Sequence, residues 1–223
     1  MTTTTPKEVN AINNILKNME VGLTYKPTIS VAGMNCLAGI AKETSQRLIN
    51  QSRQEMTKSN RSTIKAEDVK ASVILLFNGD VAKMSAYSGS SEVTRSKSTA
   101  AEGNIPRPVT KQFIASSYRK DMQRDGLTKA SRDASFFLAG VLQYVIFETI
   151  QLALFQAEKT RITPNHIRLA IASDSELAQS GFINTTDAIA HSNDDDVDFV
   201  LDNNTVEVED QDEGSIELDE DKQ

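Results

Sequence analysis

The feature that most constrains this chain is a short–long–short succession of amphipathic segments that occurs twice. In the first round, Thr5-Pro6-Lys7-Glu8 is a helix start, with a threonine cap, proline at the first helical position and a glutamate just inside. Val9, Ile12, Leu16 and Met19 then recur on one face to about Glu20. Ser30 is the expected cap of a helix that continues without proline to about Lys58, a rod of ~42 Å at 1.5 Å per residue. Its stripe is Val31, Met34, Leu37, Ala38, Ala41, Leu48, Ile49 and Met56. A turn from Ser59 to Ile64 leads to a third helix near Ala66, with Glu67 and Asp68 suited to its dipole and Val69, Val73 and Leu76 inward. Asn78-Gly79 ends it, and Asp80 is the expected cap of a fourth, less apolar helix reaching about Lys97.

The second round repeats that order. A short helix over about Thr110–Arg124 precedes a loop from Asp125 to Asp133. A long helix follows over about Ala134–Glu158, striped by Leu138, Val141, Leu142, Val145, Leu152 and Phe155. Lys159-Thr160-Arg161-Ile162 is a basic turn, and Thr163-Pro164 opens a short helix carrying Ile167, Ala170 and Ile171. Ile64, Val69 and Val73 map onto Ile162, Ile167 and Ile171 at a constant shift. Neither long stripe can be buried by two short neighbours alone, so each long helix needs a partner.

Charge divides the chain differently. Asn193 to Gln223 holds 14 acidic residues against one lysine, leaving residues 1–192 with 23 basic and 17 acidic residues. A basic body therefore carries an acidic tail, read as disordered for its charge and few aromatics. Either that tail is a solvated end, or it shields the basic surface or touches a neighbouring protein. No apolar run approaches the ~18 residues that span a bilayer, and MTTTTPKEVN lacks the layout of a secretory signal. A single cysteine, Cys36, excludes an internal disulfide framework and is expected in the core. His166, at a helix start, is expected to pack or cap, and His191 and Cys36 have no partners at metal-ligand spacing. No phosphate loop or nucleophile–base arrangement is present, so neither enzyme, metal nor cofactor is expected.

The residues themselves resemble histones. Asn60-Arg61-Ser62-Thr63-Ile64 and the stretch through Phe77-Asn78-Gly79-Asp80 resemble histone 2B, without gaps from about Ile29 to Lys97. Phe137-Leu138-Ala139-Gly140-Val141-Leu142-Gln143-Tyr144 and Lys159 through Ile171 resemble histone 2A. The order, 2B then 2A in one chain, is similar to the fused doublets of Marseillevirus-type giant DNA viruses. The resemblance implies an all-α protein of two tandem histone folds that clasp through their long helices as an intramolecular handshake. It divides the chain into a 2B-like fold with its C-terminal helix over 1–98, a linker over 99–109, a 2A-like fold over 110–192 and the acidic tail over 193–223.

Implied function is sequence-non-specific packaging of double-stranded DNA into nucleosome-like particles. The implied partner is histone 3–4-type, itself expected to be a second doublet, with no membrane and no small-molecule substrate. The virion, the host nucleus or a cytoplasmic viral factory is the implied setting. Arg61, Ser62 and Thr63, with Lys159, Thr160 and Arg161, are the implied phosphate contacts, and Arg61 and Arg161 the minor-groove candidates. Lys26, Ser30 and Lys129 fall at first-loop contact positions, and Arg119, Lys120 and Arg124 on or after the short helix of the second half. Arg61 and Asp68, seven apart, are spaced for a buttressing ion pair. Asp80, Glu148, Asp174 and Glu176 form a residual acidic patch, while Ser88, Gln143, Gln151 and Ser175 break it. Phe182, Ile183 and Ile189 are candidates for docking on the partner. The alternative is a non-packaging histone-fold subunit of a transcription complex that uses the fold to bind protein.

Overall fold

The computed structural model describes residues 6–20, 27–101, 113–126, 128–157 and 161–182. The expected linker, the acidic tail, Ile183 and Ile189 lie outside those residues. The first round forms α1 (Pro6–Glu20), β1 (Thr28–Ile29), α2 (Val31–Lys58), β2 (Thr63–Ile64), α3 (Ala66–Leu76) and α4 (Gly79–Ala101). The second forms α5 (Ala115–Met122), β3 (Lys129–Ala130), α6 (Arg132–Gln156), β4 (Arg161–Ile162), α7 (Pro164–Ser173) and α8 (Ser175–Gln179). Each long helix starts at a serine whose hydroxyl accepts from the third helical N–H. Ser30 takes Gly33 N at 3.0 Å, and Ser131 takes Ala134 N at 3.1 Å.

The two rounds interlock. β1 pairs in parallel with β4, and β2 with β3. The start of each long helix therefore lies beside the end of the other, so α2 and α6 run antiparallel, each serving as the other's missing partner. Ile64, Val69 and Val73, and their counterparts Ile162, Ile167 and Ile171, are all fully buried in one shared core. Cys36 is buried there too, and burial pushes its thiol up to about 12.

α6 departs from the simple stripe. Residues on every side of it are buried from Ala134 to Leu142, because α2, α3, α4, α5 and α7 all pack on it. Its most apolar window has a mean hydropathy of 1.6, long and apolar enough to cross a bilayer, which corrects the expectation that no run approaches that length; 67% of that window is buried inside the fold. Phe155 is the exception to the expected stripe, 81% exposed near the helix end.

The most extensive helix packing between the two halves is α4 on α6. A Cβ on Gly140 would meet the Ser88 carbonyl oxygen at 2.7 Å and the Gly89 Cα at 3.0 Å, so only glycine lets these backbones touch. Ser88 Oγ seals the contact by donating to the Gly140 carbonyl at 2.8 Å.

Two expectations are corrected here. Asp80 does not cap α4. Its carboxylate pairs with Lys83 at 2.9 Å, and the carboxylate of Glu176 accepts from Val81 N at 2.9 Å instead. Gly79, at φ +55, leaves the space that Glu176 fills. Phe182 is not a free docking residue either. It is 2% exposed and packs on Phe77 with ring centroids 5.6 Å apart, while Arg47 Nη1 donates to the Ser180 carbonyl at 2.8 Å.

Candidate nucleic-acid interface

At one edge, the turn after α2 passes through Asn60 at φ 56, a left-handed position that asparagine tolerates. The chain then extends as β2, where Lys129 N donates to Ser62 O and Ser131 N to Ile64 O, both at 2.9 Å. Arg61 is locked beneath this ladder. Its guanidinium donates to both oxygens of Asp68, at 2.5 and 3.0 Å, and to the Thr63 carbonyl at 3.3 Å. Asp68, 4% exposed, also accepts from Lys65 N at 2.8 Å, which satisfies the first free N–H of α3. The hydrogen bond to Asp68 raises the Arg61 pKa still further, so its charge is permanent. The side chain remains 29% exposed and is held in a fixed direction by a bidentate grip. The sequence-level pairing of Arg61 with Asp68 is thus present.

Arg119 joins the same edge from α5, its Nε donating to the Ala130 carbonyl at 3.1 Å. Five expected contacts are therefore gathered here: Arg61, Ser62, Thr63, Arg119 and Lys129. Ser62 and Lys129 are exposed and Thr63 is half-buried.

The other edge is its counterpart. Thr28 stands opposite Arg161 and Ile29 opposite Ile162, with Ser30 N donating to Ile162 O at 2.9 Å. Arg161 is half-buried. Ser30 is 6% exposed and its hydroxyl is engaged as the α2 cap, so it shapes this edge rather than presenting a free group. Lys26, Lys159 and Thr160 lie outside the described residues.

Lys120 and Arg124 do not join either ladder. Lys120 is exposed on α5, and Arg124 turns back to Asp121. Arg124 borders a polar cavity of about 550 Å³ with Lys42 and Arg53 of α2 and Asp125. Arg53 is a residue that sequence reasoning missed. It donates to the Met122 carbonyl at 3.0 Å and pairs with Asp125 at 3.5 Å, tying α2 to the end of α5. A cation on a helix 69 residues away carries no local signal of that role.

The acidic residues do converge, around Tyr144. Burial, then Glu148, Asp174, Glu176 and Asp80 in that order, push its phenol up to about 12. Burial, and then Asp174, raise the carboxyl pKa of Glu148. Asp174 Oδ1 accepts from Glu176 N and Leu177 N, both at 2.9 Å, as the cap of α8. With Glu176 capping α4 and Asp80 on Lys83, three of the four carboxylates are already engaged. His166 closes the capping box of α7, its Nδ1 accepting from Thr163 N at 3.3 Å. Among the described residues no group of three metal-ligating side chains occurs.

No family model matches the chain. Among curated proteins it is similar to histone 2B.v1 of Dictyostelium discoideum, 26% identical over 171 residues, 67% of this chain and 76% of that protein. It is similar to histone 2A.v1 of the same organism, 44% identical over 69 residues, 29% of this chain and 26% of that protein. It is also similar to probable histone 2A.1 of Arabidopsis thaliana, 31% identical over 94 residues, 41% of this chain and 67% of that protein.

Proposed function

We propose that this chain, which belongs to the histone family, is an architectural protein that binds double-stranded DNA along its two loop edges and packages it. Similarity to both 2B and 2A histones supports reading it as a doublet. The observation that carries the functional reading is the crossed strand pairing. It places the basic turn after each long helix beside the turn that opens the other, so Arg61 with Lys129 and Arg161 with Thr28 lie on two edges of one body. Cations on such edges neutralise phosphates and read no bases, so affinity comes from charge and from DNA deformability.

The finer reading is that the chain comes from a Marseillevirus-type giant virus, with a division into 1–98, 99–109, 110–192 and 193–223. It assembles with a histone 3–4-type partner, a second doublet, into nucleosome-like particles in the virion, the host nucleus or a viral factory. Neither catalysis nor a cofactor enters this reading. Mixing the protein with such a partner and DNA and digesting with nuclease tests it. Discrete protected fragments are expected, and a smooth digest with intact protein–protein assembly would favour the transcription-complex alternative.

A further inference from the structure

The first half ends in a surface that DNA binding does not explain. Between α3 and the start of α4 lies a groove of about 770 Å³, floored by Phe77, Ala82 and Ala86. Ile74 and Tyr87 line it while remaining 60% and 69% exposed. Two lysines flank it. Lys83 is held by Asp80, while Lys70 has no carboxylate within ion-pair distance among the described residues.

The chain itself leads to this place. Phe182, the last described residue, is buried against Phe77, which floors the groove. Beyond it the sequence reaches Asp194-Asp195-Asp196-Val197-Asp198-Phe199-Val200-Leu201-Asp202. In an extended run Val197, Phe199 and Leu201 fall on one face and Asp196, Asp198 and Asp202 on the other. A chain of 17 residues, the separation of Phe182 and Phe199, reaches roughly 21–25 Å even without being fully extended. Tethering gives the segment an effective concentration of order mM.

We propose that residues 194–202 seat in this groove in the free chain. Val197, Phe199 and Leu201 cover Ile74 and Tyr87 above the Phe77 floor, and the aspartates lie toward Lys70. Glu67 and Asp80 stand on the same two helices, so the apolar contacts carry the seat and Lys70 sets its direction. The acidic tail is then a cover for an apolar surface, separate from any shielding of the basic edges.

The chain has no tryptophan, so Tyr87→Trp places a single reporter at the groove of the full-length protein. In that background, Phe199→Asp with Leu201→Asp is expected to move the emission to longer wavelength. The shift should be independent of protein concentration, and the far-ultraviolet circular dichroism unchanged. Emission indifferent to those tail substitutions overturns the proposal. So does emission that depends on protein concentration instead, which would assign the groove to a second copy, or one that changes only when a partner histone is added. If the reporter variant does not fold, zero-length carbodiimide coupling of the unsubstituted chain decides: a Lys70 link to residues 194–202 supports the seat, and its absence overturns it.

Discussion

Lys129 offers the cleanest test of the basic edges, because its backbone N–H makes the ladder bond while its side chain is exposed. Lys129→Gln therefore removes one charge and leaves the strand pairing in place. For B-DNA, each phosphate contact contributes about 0.9 to the slope of log K against log salt. Losing one contact should lower the magnitude of that slope by about 0.9. Between 50 and 200 mM salt, a fourfold change, the wild-type affinity then falls about 3.5-fold more than that of the variant. Fluorescence anisotropy with a random-sequence duplex at four or five salt concentrations measures this. Lys83→Gln is the control, since its ammonium sits on Asp80 in the acidic cluster and should leave the slope unchanged. A Lys129 slope indistinguishable from wild type, or an equal loss at Lys83, would refute the placement of DNA on this edge.

Arg61 should behave differently because it is both exposed and structural. Arg61→Gln should lower the melting temperature as well as DNA affinity, and Arg61→Lys should restore charge but only part of the stability, since an ammonium cannot grip both Asp68 oxygens; full rescue by lysine would refute the bidentate account. Gly140→Ala forces a Cβ onto the Ser88 carbonyl, so overpacking of about 1–3 kcal/mol outweighs a helix-propensity gain of about 1 kcal/mol, and a melting point lower by a few degrees is expected by calorimetry. The Glu148 carboxyl is raised above its ordinary 4.5, so its contribution to stability is present at low pH and lost as pH rises through that raised value. Asp174→Asn keeps a capping side chain, and should lower the Glu148 midpoint in a carbon-detected NMR titration and shrink that loss. An arginine-anchor peptide of the kind that docks on cellular nucleosomes should bind the Tyr144 cluster weakly, because Asp80, Asp174 and Glu176 are otherwise engaged; cellular-level affinity in a pull-down would contradict this.

Local signals account for what was legible in the sequence. Ser30 and Thr163-Pro164 mark helix starts through bonds made within three residues, and the structure keeps both. The matched isoleucines and valines report the shared core because a repeated burial pattern is written along the chain. Arg61 and Asp68 were readable from spacing and resemblance together. What escaped was long-range. Glu176 caps a helix 95 residues away, and Arg53 holds carbonyls 69 residues away, so neither leaves a mark near the group it serves. Phe182 looked available because its cover, Phe77, belongs to the other half. The all-round burial of α6 was hidden for the same reason, since a stripe reports one partner and α6 has several.

The crossed ladders also bear on how the molecule is made. Ile29 pairs with Ile162, so a nascent chain carrying the first half alone leaves the ribosome with the part of α2 that α6 and α7 cover unclothed. At ~5–20 residues per second, translating from the end of α4 to β4 takes roughly 3–12 s. A holding chaperone has that interval in which to act, and slowing translation between the halves should increase aggregation even though every finished molecule is identical.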